Sequence, residues 1–395
     1  MGALSDALSD LKIVDLTTLI AGPTVGRLFG ELGADVIHVE PPAGDDGRNT
    51  TTPFLGSEGT MFSVANRSKR GIVVDIKQPQ GRELLRTLVR EADVFVENLT
   101  PGTLDRLELG AAHLRALNPR LIYVTISAWG LAGPLANTPG YDLVIQAFSG
   151  AMRRPAEGQP PLLGAMVGDP VAPLIAAFAT MVALRRRDQT GAGTHITTSL
   201  LQGALHLLAT GLMVAEADTT PLADVPRGLP GGAGVFRSVD GLYSVVCAWN
   251  DGQFKRLCAA AGLDQFAENP AFAVRIDRQR AVTMLNDAFA GWMSGLTRDS
   301  LLQTLRACAI PCAPVYGGMQ DLLSDPHVQA NRFVVSLDHP AKGRFWQVDT
   351  AFEMDGERGA VRPAPMLGQH TDEVLREHGF DDDAIAALRA AGVVL

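Results

Sequence analysis

The stretch IVDLTTLIAGPTVGRLFGELGADVIHVE, Ile13 to Glu40, decides the fold. Ile13-Val14-Asp15-Leu16 reads as a short strand, a helix-length segment follows Ala21-Gly22-Pro23, and after Gly33 a second strand pattern runs from Asp35 to Val39. That succession is a βαβ unit. Gly22, Gly26 and Gly30 recur every four residues and line one helix face with hydrogen, the pattern of a close packing seam. Glu40 stands where a dinucleotide-binding fold places its ribose-binding acid. The phosphate loop of that class is missing, however: nothing between Leu16 and Gly33 reads G-x-G-x-x-G, and Pro23 removes one of the N–H groups such a loop offers.

Outward from this unit the alternation continues. Strand patterns at Gly71–Ile76, Asp93–Val96, Leu121–Ser127 and Thr194–Thr198 are interleaved with helical patterns at Gly81–Glu91 and Tyr141–Ser149. The expectation is an α/β fold with a parallel sheet covered on both faces, whose ligands bind at the carboxyl ends of the strands. A long apolar helix, Val171 to Arg187, ends in Arg185-Arg186-Arg187-Asp188, a solvated last turn suited to the helix dipole. Leu200 to Ala217 is nearly free of charge and apolar on several faces, which predicts burial, with a second subunit as the cover. Between Asp218 and Gly234 prolines and glycines alternate, as in a linker followed by a mobile loop at Arg227 to Gly234. A strand at Gly241–Ala248 and helices at Asp251–Ala261 and Asp277–Met293 then suit a smaller α/β domain, followed by extended segments around Phe333–Val348 and a terminal helix at Asp382–Ala391.

With 395 residues, 46% hydrophobic and 19% charged, the chain buries a large core and is expected to form two domains. Its formal net charge of -9 offers no general attraction to nucleic acid or anionic lipid, so neither is expected as a partner. No uninterrupted run of about 20 apolar residues is present, and Met1 to Leu11 carries two aspartates and no basic residue, which predicts a cytoplasmic protein without a membrane span. Cys247, Cys258, Cys308 and Cys312 read as core thiols. No second Cys or His pair accompanies Cys308 and Cys312, and the histidines are scattered, so no metal site is expected.

The residue with most chemistry in its surroundings is Asp169, in the run Gly164-Ala165-Met166-Val167-Gly168-Asp169-Pro170. A carboxylate at a strand-to-helix junction beside a glycine is placed to act as a nucleophile. It is equally placed to begin a helix, since Asp followed by Pro is a common N-terminal signature, and residue type alone favours that reading.

The motifs resemble the class III CoA-transferases, the family that includes formyl-CoA transferase and the related α-methylacyl-CoA racemases. The resemblance runs from about Leu11 to Leu395. It is carried by VDLTTLIAGP (Val14–Pro23), LGADVIHVEPPAGDDGR (Leu32–Arg48), NRSKRGIVVDIK (Asn66–Lys77), ADVFVENLTPGTLDRL (Ala92–Leu107), NPRLIYVTISAWG (Asn118–Gly130), GYDLVIQAFSG (Gly140–Gly150), GDP at Gly168, TGAGTHITTSLLQG (Thr190–Gly203) and APMLGQHTDEVL (Ala364–Leu375). It implies a Rossmann-like large domain with residues 1–217 as its N-terminal part, a linker and small domain over 218–320, and a segment 321–395 returning to the large domain. The expected assembly is an interlocked homodimer. Asp169 matches the family's catalytic aspartate and Asp142 an acidic residue near it.

By the same resemblance, Asp169 attacks a thioester to give a mixed anhydride and then an aspartyl-CoA thioester. The CoA thioester is a substrate, with no cofactor bound permanently. CoA contacts carried over by position are Leu19, Ala21, Val74, Lys77, Asn98, Leu99 and Arg106. Pro41 replaces a CoA-binding arginine of formyl-CoA transferase and Pro139 a lysine near the acceptor, with Arg48 a candidate to compensate. Gly228 to Gly234 corresponds to a glycine-rich lid. The alternative activity is that of an α-methylacyl-CoA racemase, for which Asp251 lies near a further acid, but the racemases' histidine is replaced by Tyr141, and imidazole is the side chain best suited to proton transfer near neutrality. Arg227 and Arg237 are candidates to bind the second carboxylate of a dicarboxylic acyl group, which makes succinyl-CoA or another small dicarboxyl-CoA the expected donor.

Overall fold

Six parallel strands form the sheet on which the site is built: β1 (Lys12–Leu16), β2 (Asp35–Glu40), β3 (Arg70–Val73), β4 (Val94–Glu97), β5 (Ile122–Ser127) and β6 (His195–Ser199). Their spatial order is β3-β2-β1-β4-β5-β6, the doubly wound Rossmann-like arrangement. The computed structural model describes residues 3–50, 54–55, 58–152, 158–212, 228–340 and 343–395.

The strands read as near-continuous apolar runs because both sheet faces are covered. Alternate residues serve opposite layers: Ile13, Val36, Val94 and Val124 face a core shared with α1 (Ala21–Gly30) and α4 (Gly168–Thr190). Val14, Ile37, Phe95 and Tyr123 face one shared with α2 (Pro79–Arg90) and with the C-terminal helices Thr371–Glu377 and Asp382–Ala390. The glycine stripe of α1 is the seam expected: a Cβ at Gly22 would lie 2.4 Å from Thr17 Cβ, at Gly26 2.4 Å from Asp15 Oδ2, and at Gly30 2.3 Å from the Ser68 carbonyl.

The chain divides into two compact units, residues 1–213 with 332–395, and residues 214–331. The C-terminal segment is tied into the first unit by backbone, Asp75 N–H donating to the Val393 carbonyl at 2.8 Å. The second unit has a three-stranded antiparallel sheet (Ala233–Arg237, Tyr243–Cys247, Cys312–Pro314) whose core gathers Phe236, Val246, Phe254, Leu257, Leu285, Phe289 and Leu301. Cys258 lies in that core, where burial pushes its thiol up to about 11.

Several expectations need correction. Gly228 to Gly234 is no free lid within its unit. Gly231 N–H donates to the Arg278 carbonyl at 2.9 Å, Gly232 N–H donates to Asn286 Oδ1 at 2.8 Å, and a Cβ at Gly231 would meet Leu285 at 2.4 Å. Arg227 lies outside the described residues. In the triple-arginine run, Arg187 is buried and pairs with Asp93 at 2.9 Å, so only Arg185 and Arg186 are solvated. α4 spans 23 residues and is, among the described residues, the one helix long and apolar enough to cross a membrane by length and composition. Its Ala172, Ala176, Ala183 and Leu184 instead pack into the sheet's core. The helical pattern after Leu200 is a helix α5 (Leu200–Leu207) and a short helix Ala209–Leu212, with 213–217 outside the described residues; within one copy Gly203 and Ala204 face inward, and Leu205, Leu207 and Leu212 are exposed on the side for which a second subunit is the expected cover.

Candidate active site

The strand order reverses between β1 and β4, and an open crevice is expected outside their carboxyl ends. Two loops line it, Thr17–Ile20 after β1 and Asn98–Pro101 after β4. They are stitched together reciprocally: Thr18 N–H donates to Asn98 Oδ1 and Asn98 Nδ2 donates to the Thr18 carbonyl, both at 2.9 Å. Leu19 sits at φ 68°, a left-handed conformation costly for a leucine. It is held there by Asp45, whose carboxylate accepts the Leu19 N–H at 3.2 and 3.3 Å and the Thr18 hydroxyl at 3.2 Å.

Asp169 is the second residue of α4, and its side chain does not cap the helix. Asp142, at the start of α3 (Asp142–Phe148), performs that task. Its Oδ2 accepts the N–H groups of Val167, Gly168 and Asp169 at 2.9, 2.7 and 2.9 Å, while Gln146 Nε2 donates to Oδ1. A single buried carboxylate thus satisfies three orphan amides at a helix start. No hydrogen bond to the Asp169 carboxylate is found among the described residues. Burial first, and the Asp142 charge second, push the Asp169 carboxyl up to about 7. The capping that residue type alone assigned to Asp169 is performed by a residue 27 positions away.

Two adjoining cavities open around these loops. The first, about 250 Å³, reaches Asp169 and is lined by Leu19, Ala21, Asn98 and Leu99 on one side and by Pro139, Gly140, Tyr141 and Leu200 on the other. The second, about 510 Å³, is lined by Val74, Lys77, Leu99, Thr103, Arg106 and Pro41. Thr18, Asp46 and Leu99 belong to both walls. All seven residues expected to contact CoA therefore line one cavity or the other. Lys77 and Arg106 are exposed at the second, and no ion pair engages either among the described residues.

Four candidates have other engagements. Arg48 is buried, pairs with Glu40 through Nε–Oε2 at 2.7 Å and Nη2–Oε1 at 2.6 Å, and stacks over Phe62, so it does not replace the arginine missing at Pro41. The same pair removes Glu40 from any ribose-binding role. Asp251 pairs with the buried Arg278 at 2.6 Å. Asn98 lines the first cavity but its amide holds the opposite loop. Sequence reasoning missed Asp45 and Asp46, although both stand in the quoted run ending at Arg48, and Glu97, the last residue of β4. Burial pushes Glu97 up to about 7 while its Oε2 accepts the Leu99 N–H at 3.0 Å.

The sequence profile of CoA-transferase family III matches residues 8–371, and the chain belongs to that family. It is 33% identical to human succinyl-CoA:glutarate CoA-transferase over 98% of this chain and 90% of that protein. With formyl-CoA:oxalate CoA-transferase of Rhodopseudomonas palustris it shares 30% over 98% and 97%. The crystal structure of a CaiB/BaiF family protein from Brucella suis, 31% identical, superposes with a TM-score of 0.80 over 93% of this chain and 98% of that one. The chain is accordingly a class III CoA-transferase.

Proposed function

We propose that the chain moves CoA from an acyl-CoA to a free carboxylic acid through covalent intermediates on Asp169. The Asp169 carboxylate attacks the thioester carbonyl, forming a mixed anhydride and expelling CoA thiolate. The thiolate attacks the aspartyl carbonyl, forming an aspartyl-CoA thioester and releasing the donor acid as its carboxylate. The acceptor carboxylate then attacks that thioester, and the freed thiolate takes the new acyl group, regenerating Asp169. The observation that carries this reading is a carboxylate relieved of helix capping by Asp142 and facing a cavity that adjoins a second one bearing Lys77 and Arg106. Phosphate groups of CoA suit those two cations, and the pantetheine arm suits the passage past Leu19, Asn98 and Leu99.

As donor we propose succinyl-CoA or another small dicarboxyl-CoA, in keeping with the donor named for the human relative. Among the described residues no cation lines the Asp169 cavity; Thr100, Thr138 and Tyr141 do, so hydroxyls are the partners there for a second carboxylate. A second copy of the chain is proposed to cover Leu174, Phe178, Met181 and Val182, the exposed apolar side of α4.

The test is CoA exchange from a panel of acyl-CoA donors to mixed carboxylic acids in deuterated water. Exchange with small dicarboxyl donors and no deuterium at the acyl α-carbon is expected. Preference for branched monocarboxyl-CoA with deuterium entering the α-carbon contradicts it and selects the racemase instead.

A further inference from the structure

The loop after β4 stands between two cavities. Thr100 and Pro101 line the Asp169 cavity and also a third cavity of about 260 Å³, which Glu97, Thr125 and His195 line as well. A loop with open space on both sides keeps its place only as far as it is tied down. Its ties are few. Asn98 is stitched to Thr18 through its side chain. Of the backbone N–H groups of Asn98, Leu99, Thr100 and Gly102, only that of Leu99 finds an acceptor among the described residues, Glu97 Oε2 at 3.0 Å.

Glu97 is carried by the sheet, not by the loop. It ends β4, is only 7% exposed, and is the register partner of Thr125 on β5. Thr125 Oγ1 in turn lies 3.0 Å from His195 Nε2 on β6. Leu99 belongs to the loop and lines both the Asp169 cavity and the one bearing Lys77 and Arg106. Carboxylate and carboxylic acid alike offer an acceptor oxygen, so this tie does not depend on the titration of Glu97. Without the acceptor the half-buried Leu99 N–H has no partner, and the loop regains one by moving toward water.

We propose that Glu97 is a positioning residue for CoA: by accepting the Leu99 N–H it keeps the loop after β4 from receding into the third cavity, so that Leu99 and Thr100 hold the walls past which the pantetheine arm runs. The proposal rests on the reading of the first two cavities as the CoA site. Its structural part, the tether of Leu99 to Glu97, is measured without any ligand.

The experiment combines hydrogen exchange at Leu99, read by mass spectrometry on overlapping peptides, with calorimetric binding of free CoA, for wild type, Glu97→Gln and Glu97→Leu. Glu97→Gln keeps an acceptor oxygen and is expected to match wild type within about twofold in both readouts. Glu97→Leu is expected to exchange Leu99 about tenfold faster, with exchange in β4 itself unchanged, and to raise Kd for CoA about tenfold. A folded Glu97→Leu protein with the wild-type Kd overturns the proposal. So does a Leu99 amide that exchanges freely in wild type, or a Glu97→Gln protein that behaves as Glu97→Leu does. Should Glu97→Leu fail to fold, Glu97→Asp, whose carboxyl is one methylene shorter, is read in its place with the same signs. Wild-type protein that binds no CoA would sink the reading of the site, whereas CoA binding beside an untethered Leu99 would sink this proposal alone.

Discussion

Asp142 Oδ2 accepts the backbone N–H of Asp169 at 2.9 Å, so the second acid of the site holds the first by its main chain. Its partners Val167 and Gly168 extend that hold to the whole start of α4. Asp142→Ala is expected to destabilise the protein by about 3 kcal/mol, because three buried amides lose a charged acceptor. Asp142→Asn keeps an acceptor oxygen and removes the charge, so it should fold and shift the titration of Asp169 downward. Thermal melts and the pH profile of kcat/KM check both.

The elevated Asp169 carboxyl has a pH signature. Only the carboxylate attacks, so kcat/KM for acyl-CoA should rise between about pH 6 and about pH 8 as a group near 7 ionises.

The same group has the opposite effect on stability. Its folded value lies above the unfolded carboxylate range, so its stabilising contribution is complete at acid pH, below that range, and is lost as pH rises through about 7. Asp169→Asn should therefore be more stable than wild type at pH 8, by up to a few kcal/mol (~1.4 for each pKa unit), and the gain should vanish near pH 4. Equal melting temperatures at pH 8 would contradict the burial of this carboxylate.

Lys77→Ala and Arg106→Ala should each raise KM for acyl-CoA about tenfold and leave kcat nearly unchanged, with the wild-type KM rising as salt is added. Dephospho-CoA thioesters compared with CoA thioesters would show which cation meets the ribose phosphate.

Much of the frame was legible in the sequence because parallel strands buried on both faces leave a strong local signal. β1, β2 and the helix between them were read within a residue or two, and the glycine stripe was recognised as a seam. Asp169 stood out by position, and the resemblance supplied its partners. Pairing across distance was not legible. Nothing local in Arg48 announces its bidentate grip on Glu40, nothing in Arg187 its pairing with Asp93, and the capping of α4 by Asp142 joins residues in different elements. The Gly228–Gly234 stretch misled for the converse reason: glycine was read as freedom, whereas at Gly231 it makes room for Leu285.

The exposed face of α4 makes a further prediction. Phe178 is 73% exposed in a single copy, an apolar surface that the proposed second copy would take out of water. Wild-type protein should sediment as a dimer, and Phe178→Glu should shift it toward monomer or prevent assembly. A wild-type monomer at micromolar concentration would contradict the proposed assembly.

The claim on which the rest depends is covalent loading of Asp169. Incubation with acyl-CoA followed by hydroxylamine and peptide mass spectrometry should find a hydroxamate on the peptide containing Gly168-Asp169-Pro170, absent without acyl-CoA and absent in Asp169→Asn. An unmodified Asp169 in an enzyme that turns over, or full turnover by folded Asp169→Ala, would contradict the account.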